Sequence, residues 1–202
     1  MTDRFLDKAY GQSGDTRDLY AAWAKSYDQE LGEGGYATPA RCAEALAKHS
    51  RDLTAPILDF GCGTGLSGLA LKLAGFETID GVDVTADMLS GARAKNLYRT
   101  LELIAPNTPL SHAPGSYAAI TAIGVIGTGA APVSVFDIIM KGLASGGLVV
   151  LSLNDHALED PNFEGKLNDY IDCGAARLLH KSYGPHIPGI NLNSNVYVLE
   201  KT

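Results

Sequence analysis

The chain has 202 residues, of which 46% are hydrophobic and 19% charged, a composition that suits one globular domain with a sizeable core. Its formal net charge of −7 and its pI of about 5.1 argue against a nucleic-acid partner, which would require a basic face. The cysteines, Cys42, Cys62 and Cys173, are odd in number and widely spaced. This suggests neither a disulfide framework nor a zinc site, so we expect no bound metal and a cytoplasmic location.

The N-terminal part of the sequence is predicted to be helical. Residues 1–8 are too charged for a secretory signal. Apolar residues at three- and four-residue steps predict a helix from residue 15 or 16 to about 31, ended by glycines at 32, 34 and 35. Its residues Tyr20 and Tyr27 either face the core or close a lid over a bound ligand. A second helix is expected over residues 38–50, with Pro39 in its first turn.

The segment Ile-Leu-Asp-Phe-Gly-Cys-Gly-Thr-Gly at residues 57–65 predicts a strand, a tight turn and then a helix over residues 66–73. Gly61, Gly63 and Gly65 lie at alternate positions of the turn. Glycine tolerates unusual backbone angles, and its lack of Cβ lets a ligand approach the main chain closely. We expect Cys62, inside this turn, to be a small filler of the pocket rather than a nucleophile.

Two ligands are compatible with this turn. Gly63-Thr64-Gly65-Leu66-Ser67-Gly68 matches the pattern of a dinucleotide site, as in a dinucleotide-dependent oxidoreductase. However, its first glycine comes two residues late, and Asp59 would place a negative charge beneath a pyrophosphate. A ligand that carries an ammonium group and no phosphate fits better, and S-adenosylmethionine is such a ligand.

A second strand is predicted within residues 78–84; it ends in Asp83, and Val84 follows. A carboxylate only accepts hydrogen bonds, so Asp83 suits the two hydroxyls of a ribose. Thr85 is expected to cap the next helix. Met88, in that helix, either lies against an adenine or belongs to the core.

The remainder of the chain alternates predicted strands and helices, which implies a parallel sheet with helices on both faces. The charge-free stretch of residues 115–136 is broken by Gly, Thr and Pro, so we interpret it as a buried strand and loop rather than a membrane span. The expected organisation is a single domain, with a helical cap over residues 1–50 and an α/β core over residues 51–202. Later strands are expected at 98–104, 117–125, 148–153, 177–183 and 195–200, and later helices at 133–143 and 160–173.

With these motifs placed, the chain resembles the class I S-adenosylmethionine-dependent methyltransferases, and more narrowly the Williams–Beuren syndrome region methyltransferase-like proteins and their bacterial relatives. Residues 20–28, 57–65, 81–89 and 92–98 and the pair Gly146-Gly147 carry the resemblance. It implies a single-domain Rossmann-like fold with a seven-stranded, mostly parallel sheet whose last strand is antiparallel. It also implies S-adenosylmethionine as the cofactor.

The resemblance further implies roles for individual residues. Asp59, Gly61, Gly63 and Gly65 would surround the methionine part of the cofactor, with Asp83 at the ribose and Met88 at the adenine. Such enzymes often carry an acid after the third strand, near the adenine amine. This chain has Ile104-Ala105-Pro106-Asn107 there, so only Asn107 could take that place.

The methyl acceptor is not specified by these motifs. By position it should meet residues 124–131 and the segment Asn154-Asp155-His156, after strands four and five. His156 is the best-placed candidate for a general base, although the sequence favours an exposed histidine without a catalytic role. We expect a small-molecule acceptor first and a protein side chain second, with a non-catalytic cofactor-binding module as the alternative function.

Overall fold

A computed structural model of the chain describes residues 22, 24 and 26–202. Within that part of the chain, seven strands form one sheet and helices cover it. The helices are α1 (Tyr27–Gly34), α2 (Thr38–His49), α3 (Leu66–Leu73), α4 (Ala86–Ala94), α5 (Val135–Gly142), α6 (Asp155–Leu158) and α7 (Pro161–Asp172). The strands are β1 (Ile57–Phe60), β2 (Ile79–Asp83), β3 (Thr100–Leu103), β4 (Ala119–Ala122), β5 (Leu148–Asn154), β6 (Ala176–Ile187) and β7 (Leu192–Lys201), with a 3-10 turn at Pro188–Ile190 between the last two.

The strand order across the sheet is β3-β2-β1-β4-β5-β7-β6. Strands β1 to β5 pair in parallel, and β7 runs antiparallel to both β5 and β6. The Rossmann-like sheet with an antiparallel last strand is therefore confirmed. The order reverses between β1 and β4, and ligands of open α/β sheets bind where the order reverses, at the carboxyl ends of the strands.

Alternate residues of the central strands pack into two separate cores, one on each face of the sheet. Ile57 of β1 packs with Leu46 of α2 on one face. Leu58, the next residue, packs with Phe136 of α5 on the other face. Because β1 is buried on both faces, it is a continuous apolar run apart from Asp59, whose carboxylate then needs hydrogen-bond partners inside the protein.

Helix α1 ends later than the sequence predicts. It continues through Gly32 and Gly34, so the expected break at those residues is wrong. The helix ends where Gly35 adopts a left-handed conformation (φ 74°), which glycine reaches without strain. A Cβ on Gly34 would lie 2.7 Å from a methyl carbon of Ile187, so this glycine lets α1 approach the end of β6.

Strand β6 is longer than expected and includes Gly184 and Pro185. Proline is compatible with this position because β6 lies at the edge of the sheet, and the pairing with β7 shifts between Pro185 and Ile187. The charge-free residues 115–136 contain β4, the loop after it and the start of α5. In the described part of the chain, no helix has both the length and the apolar character required to cross a bilayer.

A buried histidine connects α2 to the β6–β7 hairpin. His186 is 2% exposed, and its Nδ1 lies 2.8 Å from Oγ1 of Thr38, which also lies 3.0 Å from Oγ of Ser194. Burial, followed by the positive charge of Arg41, lowers the pKa of His186 from 6.5 to about 4. The imidazole is therefore neutral in the folded protein at neutral pH.

This lowered pKa predicts a specific loss of stability in acid. The unfolded chain binds a proton at His186 below about pH 6.5, whereas the folded protein does so only near pH 4. Stability is therefore complete above pH 6.5 and decreases as the pH falls toward 4. Between pH 7 and pH 5 this group should lower the free energy of unfolding by about 2 kcal/mol.

Urea denaturation at the two pH values measures this loss, with His186→Asn as the comparison because Asn retains a polar atom facing Thr38. The variant should lose less stability than the wild type between pH 7 and pH 5. Equal losses would contradict the assignment of this proton to His186.

Candidate active site

A cavity of about 510 Å³ lies at the carboxyl ends of the central strands, within the range of roughly 300–1,000 Å³ typical of small-molecule sites. Segments on both sides of the β1–β4 reversal form its wall: residues 60–64, residues 83–85, residues 104–107 and the loop after β4. Tyr27 of α1 and Tyr36, which precedes α2, complete it.

Most of the residues that the sequence assigned to the cofactor line this cavity. They are Tyr27, Gly61, Cys62, Gly63, Asp83, Val84, Met88 and Asn107. Asp59 and Gly65 do not belong to the lining, although both adjoin it in the chain. Tyr20 lies outside the described residues.

The glycine turn fits closely against the loop that follows β4. Gly61 has φ of 70°, and a Cβ at this position would lie 2.5 Å from a methyl carbon of Val125. Gly63 has φ of 53°, and a Cβ there would meet no atom within 4 Å. The turn therefore needs glycine at 61 for packing, whereas Gly63 leaves open space beside the cavity.

Asp83, at the end of β2, is buried and holds the glycine turn in place. Its Oδ2 accepts a hydrogen bond from the backbone N–H of Gly63 (2.9 Å), and its Oδ1 accepts one from Thr85 (2.8 Å). The Thr85 hydroxyl and the N–H of Val84 also contribute hydrogen bonds to this carboxylate, which can only accept them. Burial raises the pKa of Asp83, and these backbone donors oppose that effect.

Asp59 is fully buried beneath the turn, and its hydrogen bonds come from three hydroxyl groups. Ser67 (2.6 Å) and Tyr98 (2.7 Å) donate to Oδ2, and Thr121 (2.7 Å) donates to Oδ1. The Tyr98 hydroxyl in turn accepts the N–H of Gly68 in the first turn of α3 (3.1 Å). Asp59 therefore joins β1 to α3 and β4 from below the cavity.

Tyr98 was missed as a site residue by the sequence analysis. The sequence predicts a strand from residue 98, but β3 begins only at Thr100, and the Tyr98 side chain lies under the glycine turn. Burial, with the charge of Asp59 second, raises the pKa of the Tyr98 hydroxyl above its usual range. The phenol therefore keeps its proton and remains a donor.

The side of the cavity after β4 is apolar. Ile123, Val125 and Val135 line it, together with Ala130, Ala131 and Pro132. Tyr36, a second residue that sequence analysis missed, has its hydroxyl oxygen 2.3 Å from the position a Cβ would take on Gly124. Among the described lining residues, Asp83 is the only one with a charged side chain.

The predicted acceptor-binding segment after β5 has a different role in the structure. Residues 155–158 form α6, and the Asn154 side chain caps this helix by accepting the N–H of Ala157. Asp155 accepts hydrogen bonds from the hydroxyl of Tyr183 (2.8 Å) and the N–H of Asn193 (2.8 Å). Neither these residues nor His156 lines the cavity, so the geometry gives no support to His156 as a base.

Cys62 does line the cavity, but its thiol is a weak nucleophile. Burial, followed by the nearby charges of Asp59 and Asp83, raises the pKa of the thiol above its usual range. The neutral thiol agrees with the interpretation as a small filler. In the described part of the chain, no group of three or more His, Cys, Asp or Glu side chains is arranged to hold a metal ion.

Residues 35–192 match the family model described as "Methyltransferase domain". The chain belongs to this family. It is a class I methyltransferase domain, and S-adenosylmethionine is the cofactor that the family implies. The match includes the glycine turn, Asp83 and the loop after β4.

A human protein, methyltransferase-like protein 27, is 33% identical to this methyltransferase domain over 137 residues. The aligned region covers 66% of this chain and 56% of the human protein, so the chain spans little more than half the length of that relative.

Solved structures share the fold at low sequence identity. A chain from the complex of the Haloferax volcanii Trm112 methyltransferase activator with a methyltransferase aligns with a TM-score of 0.68 and 16% identity, covering 93% of this chain and 99% of that one. Geranyl diphosphate methyltransferase, solved with GPP and sinefungin, aligns with a TM-score of 0.58 and 13% identity, covering 79% and 77% of the two chains.

The Tyr98 bridge predicts a large effect from the loss of one hydroxyl. Tyr98→Phe removes a donor from buried Asp59 and leaves the Gly68 N–H without its phenol acceptor. We expect the free energy of unfolding to fall by about 1–3 kcal/mol, because buried polar groups lose their partners. Urea denaturation at pH 7 measures this change.

Tyr170→Phe is the matched control. The Tyr170 hydroxyl also donates to a carboxylate, that of Asp137, but this acid is 31% exposed and also pairs with Lys166. Removing the Tyr170 hydroxyl should therefore lower the free energy of unfolding clearly less than Tyr98→Phe does. Similar losses in the two variants would show that the bridge beneath the glycine turn has no special importance.

Proposed function

We propose that this protein transfers a methyl group from S-adenosylmethionine to a small, uncharged acceptor molecule. One observation carries the proposal: the glycine turn, Asp83 and Met88 line the same continuous cavity as the apolar surface after β4. The cofactor and the acceptor would thus be held side by side in one site. Methyl transfer needs this proximity more than it needs a catalytic side chain.

The chemistry of the lining fits the cofactor. Gly63 would let the methionine part approach the backbone, Gly61 would keep the turn packed against the loop after β4, and the carboxylate of Asp83 would accept the ribose hydroxyls. Met88, with Val84, would contact the adenine, and Asn107 would face its amine.

The residues around the glycine turn complete the proposed cofactor site. Tyr27 would cover the cofactor from α1, and Asp59, with Gly65, would support the turn from outside the cavity. No Lys, Arg or His side chain occurs among the lining residues that the structure describes, so a pyrophosphate would find no cation there. This disfavours the dinucleotide alternative.

The proposed reaction is an in-line displacement, in which the cofactor supplies an activated methyl group. The protein's part is to align the acceptor behind that methyl group and to exclude water. Ile123, Val125 and Val135 provide the apolar surface for this, and Tyr27 and Tyr36 belong to the same lining. This surface favours an acceptor that does not require a strongly basic residue; a protein side chain is the second candidate.

Calorimetric titration with S-adenosylhomocysteine tests the cofactor, with NAD and NADP run in parallel. We expect micromolar binding of S-adenosylhomocysteine alone. Transfer of labelled methyl from S-adenosylmethionine into fractionated cell extract then tests the acceptor, and label should appear in the low-mass fraction. Label in protein would favour the second acceptor, and binding of a dinucleotide instead would refute the proposal.

The ribose assignment predicts a loss of affinity in Asp83→Ala. This variant removes the carboxylate that would accept the ribose hydroxyls and that holds the N–H of Gly63. Binding of S-adenosylhomocysteine should weaken by about 2 kcal/mol or more, roughly 30-fold. Asp87→Ala is the control, because Asp87 is an exposed acid four residues away that does not line the cavity. Unchanged affinity in a folded Asp83→Ala variant would exclude Asp83 from the site.

A further inference from the structure

Asp28 connects helix α1 to the glycine turn through hydrogen bonds. Its Oδ1 accepts a hydrogen bond from the hydroxyl of Thr64 (2.5 Å), and its Oδ2 accepts one from the ammonium group of Lys95 (2.5 Å). Lys95, directly after α4, also donates to the backbone carbonyl of Thr64 (2.6 Å). Three segments far apart in the sequence are thus joined by one carboxylate and one ammonium group.

These contacts act on the cavity wall from outside the cavity. Tyr27, the neighbour of Asp28 in α1, lines the cavity, and so does Thr64, which lies between Gly63 and Gly65. Asp28 and Lys95 do not line it, and their side chains are 42% and 25% exposed. Replacing either one therefore removes no direct contact with a ligand, but it releases the helix that carries Tyr27.

The turn side of this junction is rigid. Thr64 is 2% exposed, and a Cβ on Gly91 of α4 would lie 3.2 Å from its methyl carbon. The opposite side, α1, is an eight-residue helix with one buried side chain, that of Leu31. When the junction breaks, α1 should therefore move and the glycine turn should stay in place, because few buried contacts among the described residues hold α1.

We propose that Asp28 is a positioning residue, which with Thr64 and Lys95 forms a latch that holds α1 over the cavity and sets the rate of cofactor exchange. This inference rests on the proposed function, because it takes the cavity as the cofactor site. The latch consists only of protein groups, so no contact with a ligand is needed to form it. It therefore stabilises the closed form before and after binding, and it should slow both entry and release.

This double effect distinguishes a latch from a binding contact. Loss of a binding contact raises the dissociation rate and leaves the association rate nearly unchanged. Loss of a latch raises both rates together, so the dissociation constant changes little. Because the closed form stays dominant in the free and in the bound protein, loss of the latch raises only a small open population in both, and the effect appears in the rates.

The experiment is to measure association and dissociation rates of S-adenosylhomocysteine by surface plasmon resonance on the full chain. For Asp28→Asn we expect both rates to rise about fivefold, as for a partly exposed ion pair with charge-assisted hydrogen bonds. The dissociation constant should change less than about twofold, a relation that general destabilisation would not produce. Higher salt should raise both rates in the wild type but not in Asp28→Asn, because it screens the Asp28–Lys95 pair, which the variant lacks.

Two further variants make the test specific. Glu33→Gln removes the same charge from the same helix, but Glu33 is exposed and pairs with Gln29 within α1 (2.9 Å), so its rates should match the wild type. Lys95→Met breaks the latch from its other side and should reproduce the effect of Asp28→Asn. The double variant should be no faster than either single variant, since each one removes the same interaction.

The outcomes separate this inference from the proposed function. If S-adenosylhomocysteine does not bind the wild type, the cofactor assignment fails, and the latch fails with it. If it binds and Asp28→Asn has wild-type rates, the cofactor assignment stands and the latch is refuted. A rise in the dissociation rate alone would also refute the latch, and it would make Asp28 part of the binding surface.

Discussion

The buried carboxylate of Asp59 is the group on which the geometry of the site depends. It lies in the middle strand of the parallel part of the sheet and is fully buried, so its hydrogen-bond partners must come from the protein. Thr121 supplies one from the neighbouring strand β4, and Ser67 supplies one from the start of α3. By accepting these hydrogen bonds, one carboxylate fixes the relative positions of β1, β4 and α3. It thereby fixes the shape of the glycine turn between them.

Under the proposed function, the same acid would contribute to the choice of ligand without touching it. Burial raises the pKa of Asp59, with the nearby charge of Asp83 as a smaller contribution, and both acids lie under or beside the glycine turn. The hydroxyl and backbone donors around them favour the ionised forms and oppose the effect of burial. A site with two acids and no described basic lining residue favours a cation over a phosphate. The sequence analysis inferred that the negative charge of Asp59 disfavours a pyrophosphate. In the structure this effect would act through the electrostatic field of Asp59, because Asp59 does not line the cavity.

The parts of the fold that follow from short stretches of sequence were predicted well. Helix α3 has the predicted bounds, Leu66–Leu73, and α2 ends one residue before the predicted end. The errors occur where tertiary contacts determine the bounds of a strand or helix. Tyr98 leaves the predicted strand because a buried acid thirty-nine residues away requires its hydroxyl. The segment after β5 turns into α6 because Asn154 caps it, and β6 passes through Pro185 because an edge strand tolerates a residue without an N–H.

The candidate site shows the same division between its two halves. The half of the cavity proposed for the cofactor is lined by residues 60–64 and 83–85 and by Met88, which belong to contiguous motifs, so the family and the cofactor can be recognised from sequence. The half proposed for the acceptor combines Tyr36, from before α2, with apolar residues of the loop after β4. Neither a buried hydrogen bond nor an unusual backbone conformation restricts the choice of those apolar residues. Many apolar sequences would form an equivalent wall. Motifs that are common to the family can therefore be recognised in the sequence. The surface proposed for the acceptor forms only when distant segments pack together.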